Sequence, residues 1–309
     1  MNPLHQAVDD YLTIRRALGY KLERHGRLLP QFVDYLDEVG ETTVTVEHAA
    51  AWATQPPDAA TRWYAERLTV VRGFAIWLAT IEPATEIPPA HLLPWTRQRA
   101  VPYLYSDQDL AALLEATGTL RTSLGTTTYR TLIGLLAVTG LRIGEALRLD
   151  RGDVDGANDL LTVNVGKFGK AREIPLHPTT TQALTRYVRE CDRLHPRPST
   201  PALFISTVGT RLQYCNVQRT FHRLTVRAGL RPRSSSCRPR LQDDLRHSFA
   251  VRTVLDGYLA DADVHARLPL LATFLGHADP AHTYWYLSAA PELLGLAGRR
   301  LEAHLEGDQ

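Results

Sequence analysis

Lysine is nearly missing from this 309-residue chain: of its 35 basic side chains only Lys21, Lys167 and Lys170 are lysine, and the rest are arginine. Cysteine is as scarce. Cys191, Cys215 and Cys237 show no Cys-x-x-Cys spacing, and their odd number argues against a disulfide framework or a zinc finger. Long apolar runs are absent too, the longest being Leu132 to Val138, far short of the roughly 20 residues a membrane helix needs. The N-terminal MNPLHQAVDD has no basic start followed by an apolar stretch, so no secretory signal is expected. These absences predict a reduced, soluble, cytoplasmic protein with no membrane partner. One stretch lacks acid altogether: residues 211–240 carry eight arginines and no Asp or Glu. The formal net charge of +2 conceals this asymmetry, with 10 basic against 12 acidic side chains in residues 1–100 and 25 against 21 in residues 101–309. A guanidinium is a planar fork of donors suited to phosphate, so an acid-free Arg stretch points to a polyanion; a codon bias that turns surface Lys into Arg is the alternative.

What is present suits two domains, since 44% of the residues are hydrophobic and only 22% charged. Residues 1–82 read as a small helical domain, with Leu4, Ala7, Tyr11, Ile14 and Leu18 at steps of three or four, and likewise Leu68, Val71, Ala75 and Leu78. Leu28, Phe32 and Leu36 mark another helix, and Val46 to Trp52 a shorter one. Pro83, Pro88, Pro89, Pro94 and Pro102 forbid a continuous helix and predict a linker over 83–102. Residues 103–309 then form the second domain. Ser106 and Asp109 have the spacing of a cap that opens an amphipathic helix. Tyr129 to Leu147 is mostly helical with a break at Thr139-Gly140. Leu161, Val163 and Val165 alternate with polar residues, Gly166 to Lys170 turns the chain, and Arg172 to Leu176 returns extended: a β-hairpin with a basic tip. The remainder is chiefly helical, so the fold is mainly α with a small β-hairpin.

Four segments could carry chemistry. In Thr139-Gly140-Leu141-Arg142-Ile143-Gly144-Glu145 the glycine permits a bend that presents Arg142, with Glu145 one turn on to orient it; an ordinary helix-surface pair is the other reading. The hairpin tip holds two of the three lysines. Lysine, unlike arginine, is readily tuned to act as an acid, although a solvated turn would look the same. Asp243 and Arg246 lie three apart at a helix start. His277 follows a glycine break and precedes Tyr284 and Tyr286. His277 and His282 are five apart and do not share a helix face, which argues against a metal site. Taken together, two Arg, a Lys, a His and a Tyr are what transesterification at a phosphodiester requires. Guanidiniums neutralise the non-bridging oxygens, a Tyr attacks phosphorus, a Lys protonates the departing 5′ oxygen and a His donates to the phosphate. Arginine supplies the charge compensation, so neither a metal nor another cofactor is expected.

The whole set resembles the tyrosine recombinases of the phage integrase family, over nearly the entire chain. The resemblance implies an N-terminal helical core-binding domain and a mixed α/β catalytic domain. TGLRIGEAL matches the first arginine motif, which makes Arg142 catalytic and Glu145 its buttress. GKFGKAREIPL resembles the family's hairpin, whose catalytic lysine falls on Lys167 rather than Lys170. DDLRHSFA matches the H-x-x-R box and gives Arg246, while LGH gives His277 and a nucleophile nine residues later at Tyr286, not Tyr284. One position departs: Asp243 stands where the family has His. A carboxylate can accept the tyrosine's proton, but beside a phosphate its charge is unfavourable unless an Arg is close. A working substitution, a register shift through Gln242-Asp243-Asp244 and a weakened enzyme all remain open. Lys170, Arg172, Arg211, Arg219 and Arg240 are candidate DNA contacts.

The run from Ala266 to Leu294 is more similar to transposon-encoded tyrosine transposases than to Xer-type recombinases, which implies a mobile-element role. Leu293, Leu294 and Leu296 to Leu301 read as a tail helix that docks on a neighbouring protomer or packs on its own domain. The expected partners are double-stranded DNA with specific sites, further copies of the chain (four in a synapse), and a second recombinase or DNA-bending accessory protein. A weakened accessory subunit and a type IB topoisomerase-like relaxing enzyme are the alternatives.

Overall fold

The computed structural model describes residues 3–93, 101–164, 171–234, 236–260, 263–277, 279 and 283. It divides into two compact units, Met1–Arg99 and Ala100–Gln309. The first is helical. α1 (Pro3–Ala17), α2 (Glu23–Val39), α3 (Val46–Thr54) and α4 (Thr61–Leu78) follow the apolar spacing of the sequence and turn Val8, Tyr11, Leu29, Phe32, Leu36, Trp52, Val71 and Phe74 into one core. Gly40 ends α2 at φ +78°, a conformation that only glycine adopts without strain. Arg67 is buried here. Its guanidinium lies 3.7 Å from the centroid of the Trp52 ring, and Nη2 donates to the Trp52 carbonyl at 2.7 Å. The proline-bearing chain after α4 packs on this unit: Glu86 N–H donates to Val44 O at 2.8 Å, Glu86 Oε2 accepts from Val46 N at 2.7 Å, and Arg72 Nε donates to Pro88 O at 2.9 Å.

The second unit is built on α5 (Asp107–Ala116), α6 (Ser123–Thr139), α7 (Ile143–Ala146), α8 (Pro178–Leu194), α9 (Tyr214–Arg227), α10 (Asp244–Leu259) and α11 (Val264–Leu275). A three-stranded antiparallel sheet of β1 (Val154–Asp155), β2 (Leu160–Val163) and β3 (Arg172–Pro175) lies between α7 and α8 in the chain. Ser106 and Asp109 form the capping box expected of α5. The hairpin pairs Leu161 with Ile174 and Val163 with Arg172, which buries Leu161, Val163 and Ile174 on one face. The mainly helical architecture with one small sheet is therefore what the patterning predicts.

Candidate active site

Gly140 ends α6 at φ +60°. A Cβ at this position would lie 2.6 Å from Phe249 Cδ1 and 2.9 Å from Leu275 Cδ2, so conformation and packing both require glycine. The chain then turns and sets Arg142 at the start of the one-turn α7. Glu145 reaches back: Arg142 N–H donates to its Oε2 at 3.0 Å and Arg142 Nη1 to its Oε1 at 3.1 Å. Glu145 is 4% exposed whereas the Arg142 side chain is 42% exposed, so the acid is interior and the guanidinium reaches solvent.

A second arginine arrives from the sheet. Arg172 Nη2 donates to Glu145 Oε2 at 2.9 Å and Nη1 to Oε1 at 3.3 Å, while Nε donates to the Phe274 carbonyl at 3.1 Å. Burial by itself would raise the Glu145 carboxyl. The hydrogen bonds and charge of Arg172, then those of Arg142, outweigh it and hold the group below the ordinary carboxylate range. Arg246, 2% exposed on α10, closes the circuit. It donates from Nη1 to Gly140 O at 2.9 Å and from Nη2 to Leu275 O at 2.6 Å. The structure thus gathers Arg142, Glu145, Arg172, Arg246 and the Leu275-Gly276-His277 turn into one ring of contacts. The ring holds three guanidiniums and a single carboxylate, which leaves a net positive site suited to a phosphate. His277 lies at its edge, with Nδ1 at 2.8 Å from Oγ1 of the buried Thr283.

Asp243 immediately precedes α10, three residues before Arg246. It is exposed, has φ +67° and accepts from His247 through its backbone carbonyl, at 2.7 Å from the amide and 2.6 Å from Nδ1. Partial burial, and then the charge of Asp243, raise the phenol of Tyr214 on α9. The neighbouring Asp244 is buried and accepts Arg240 N–H at 2.8 Å. Burial pushes its pKa up to about 7, against the Arg240 amide and charge and the Tyr103 amide, with Asp243 adding to the rise.

The candidate DNA contacts fall in different places. Arg219 is exposed on α9. Arg240 donates from Nη2 to Ser236 O at 3.0 Å. Arg211 is turned inward, donating to Leu147 O at 3.0 Å and Leu149 O at 3.1 Å and pairing with Asp150. Arg172 is a clamp within the site. Lys167, Lys170, Tyr284 and Tyr286 lie outside the described residues, as does the tail after Tyr286. Sequence reasoning missed three participants: the clamping role of Arg172, the hydroxyl of Thr283 and the buried acid Asp244. No motif spacing signals them. Among the described residues no group of three or more His, Cys, Asp or Glu could hold a metal ion, and no helix is long and apolar enough to cross a membrane.

Residues 104–292 match the model of the phage integrase family. The y4rB protein of Sinorhizobium fredii, which carries an integrase/recombinase name, is 42% identical over 312 residues, covering 99% of each chain. The tyrosine recombinase XerD of Mycobacterium tuberculosis is 31% identical over 296 residues, covering 90% of each. The solved integrase of the Tn1549 transposon, in complex with transposon right end DNA, has a similar fold, with a TM-score of 0.66 at 17% identity over 96% of this chain and 98% of that one. The class is that of the tyrosine recombinases, enzymes that cut and rejoin DNA. The chain belongs to the phage integrase family.

Proposed function

We propose that the chain is a site-specific DNA recombinase of a mobile element, working through a 3′-phosphotyrosine at Tyr286. The observation that carries this reading is the ring around Glu145. It brings Arg142, Arg246 and His277, separate in sequence, to one electropositive site. The full-length likeness to an integrase/recombinase supports the mobile-element role.

In this mechanism the Tyr286 oxygen attacks the scissile phosphorus. The P–O bond to the 5′ carbon breaks, leaving a 3′ phosphotyrosine and a free 5′ hydroxyl. Arg142 and Arg246 offset charge on the non-bridging oxygens, and Lys167 protonates the departing 5′ oxygen. The Thr283 hydroxyl suits either tautomer of His277; in this mechanism it donates to Nδ1, so that Nε2 carries the ring proton and donates to the phosphate. The phenol, whose ordinary pKa is near 10, must lose its proton at attack, and Asp243 is its acceptor. Attack by the 5′ hydroxyl of a partner strand reverses the step, so the bond energy is retained without ATP. Two duplexes carry four strands to be cut, hence four protomers in the synapse. Residues 1–82 serve as the core-binding domain, 83–102 as the linker and 103–309 as the catalytic domain, acting where the DNA is, on the nucleoid.

The test is covalent capture on a nicked suicide duplex made from the inverted repeat flanking the coding region. Wild type gives a protein–DNA adduct that Tyr286→Phe loses and Tyr284→Phe retains. No adduct with wild type, or an adduct that survives Tyr286→Phe, overturns the reading. Asp243 favours a second one, a catalytically weak accessory subunit, because a carboxylate stands where the family has His. Cleavage unchanged in Asp243→Ala would remove the group from the mechanism. Relaxation of a supercoiled plasmid without recombinant products would identify a topoisomerase-like activity instead.

A further inference from the structure

We infer that Arg172 is a positioning residue of the cleavage reaction: one guanidinium ties the hairpin that leads to Lys167 both to the Arg142 turn and to the Leu275-Gly276-His277 turn. The inference rests on the recombinase reading above and assigns Arg172 a role within that site rather than on the DNA-facing surface.

The geometry leaves the side chain little freedom. Its two terminal nitrogens straddle the carboxylate of Glu145 at 2.9 and 3.3 Å, and its Nε is committed to the Phe274 carbonyl at 3.1 Å. Three contacts to two partners determine the plane of the fork, which a lysine's point charge could not do. Arg172 is 16% exposed and its carboxylate partner 4%, and Nε, Nη1 and Nη2 are each engaged by an acceptor within the protein. The turn before His277 is shaped to the guanidinium. Gly276 has φ +69°, and a Cβ there would fall 2.8 Å from Arg172 Nη1 and 2.9 Å from its Cζ, so the backbone lies directly against the fork. In the hairpin, Arg172 pairs with Val163 at the last described step of the ladder, and fixing it fixes the base of the segment that carries Lys167. The contacts bridge sequence separations of 27 residues to Glu145 and 102 to Phe274.

Removal of the guanidinium has a specific chemical consequence. The charged groups facing Glu145 are Arg142 from its own turn and Arg172 from β3. With Arg142 alone remaining, burial raises the Glu145 carboxyl, and its protonation as pH falls releases Arg142 from its anchor.

The experiment measures single-turnover cleavage of the suicide duplex at saturating protein across pH for wild type, R172Q, R172K, E145Q and the R172Q/E145Q pair, alongside DNA affinity at several salt concentrations. R172Q should cleave on the order of 100-fold more slowly, the penalty typical of a misplaced catalytic group. The acid limb of its pH profile should move to higher pH while DNA affinity and its salt dependence stay at wild type. R172K should recover part of the rate and of the acid limb, and the pair should lose less than the sum of the two single losses, because both changes break the same Arg172–Glu145 link. Weaker DNA binding with a shallower salt slope, and wild-type cleavage at saturation, would make Arg172 a phosphate contact and overturn the inference. A lowered melting temperature in R172Q with an unshifted pH profile would reduce it to a scaffold residue and overturn it equally. NMR titration separates this outcome from failure of the recombinase reading. R172Q should raise the Glu145 carboxyl titration and displace the His277 ring resonances, and neither change occurring sinks the inference whether or not wild type cuts DNA. Both changes occurring in a wild-type background that forms no adduct would remove the recombinase reading alone.

Discussion

Asp244 shows how a single buried acid on the helix of Arg246 affects stability. In the unfolded chain it titrates as an ordinary aspartate, near pH 3.9. In the folded unit it is 3% exposed, and burial lifts its pKa to about 7. Between roughly pH 4 and 7 the native state therefore holds a proton that the unfolded state has released, so this group's contribution makes stability fall as pH rises through that window and then level off. Asp244→Asn removes the dependence. Relative to wild type it should be on the order of a few kcal/mol more stable at pH 8 than it is at pH 4, measured by urea unfolding at both. Parallel stability curves for the two proteins would contradict the assignment. Residues of this kind were not legible in the sequence. Arg142, Arg246 and His277 were, because each sits in a short motif whose local order survives in one chain. Arg172 stood in plain view, but its meaning depends on a carboxylate 27 residues away and a carbonyl 102 away. Thr283 became a partner of His277 only through the fold.

At the scale of elements, periodicity carried most of the information. The break at Thr139-Gly140 is the C-cap of α6, and the alternation of Leu161 and Val163 is the buried face of β2. The acid-free Arg run at 211–240 was harder to interpret, because composition registers charge but not the carbonyls that absorb it. The structure divides the run. Arg211 holds the Leu147 and Leu149 carbonyls, Arg227 donates to Thr119 O at 3.0 Å and its Oγ1 at 2.6 Å, and Arg233 donates to Leu104 O at 3.0 Å. Arg219 remains exposed on α9. The two kinds of arginine should separate in experiment. Arg219→Ala should reduce the slope of log binding constant against log salt by about one, the signature of one lost phosphate contact. Arg211→Ala should leave that slope alone and destabilise the unit by roughly 1.5–3 kcal/mol, the usual loss for hydrogen bonds made by a charged group. Equal effects of the two substitutions on the salt slope would mean that the division between scaffold and surface is wrong.

For the whole molecule, the two units have separate cores. The buried apolar cluster of the first is drawn from Leu4 to Leu78 and that of the second begins at Tyr103. A cluster that closes on itself predicts a fragment that folds alone, and the remaining variable is where the fragment ends. Proline density marks Pro83 as the start of the connecting chain, yet residues 85–88 are bonded to the helices before them. Thr85 is buried, Glu86 caps the start of α3 through Val46 N and pairs with Val44 O, and Pro88 O receives Arg72 Nε. Proline forbids helix here without forbidding packing, because it still offers a carbonyl and an apolar ring. Residues 1–93 and 1–82 expressed separately should therefore both unfold cooperatively but not equally. The shorter fragment loses four hydrogen bonds, two of them to charged groups, and leaves Val44 O, Val46 N and Glu82 O to water. Partial solvation of these groups limits the difference to about 1–3 kcal/mol. Urea midpoints with an unchanged slope would give that difference directly. Equal midpoints would mean that the segment after Leu78 adheres to the unit without stabilising it, and that the connecting chain begins at Pro83 in energy as well as in composition.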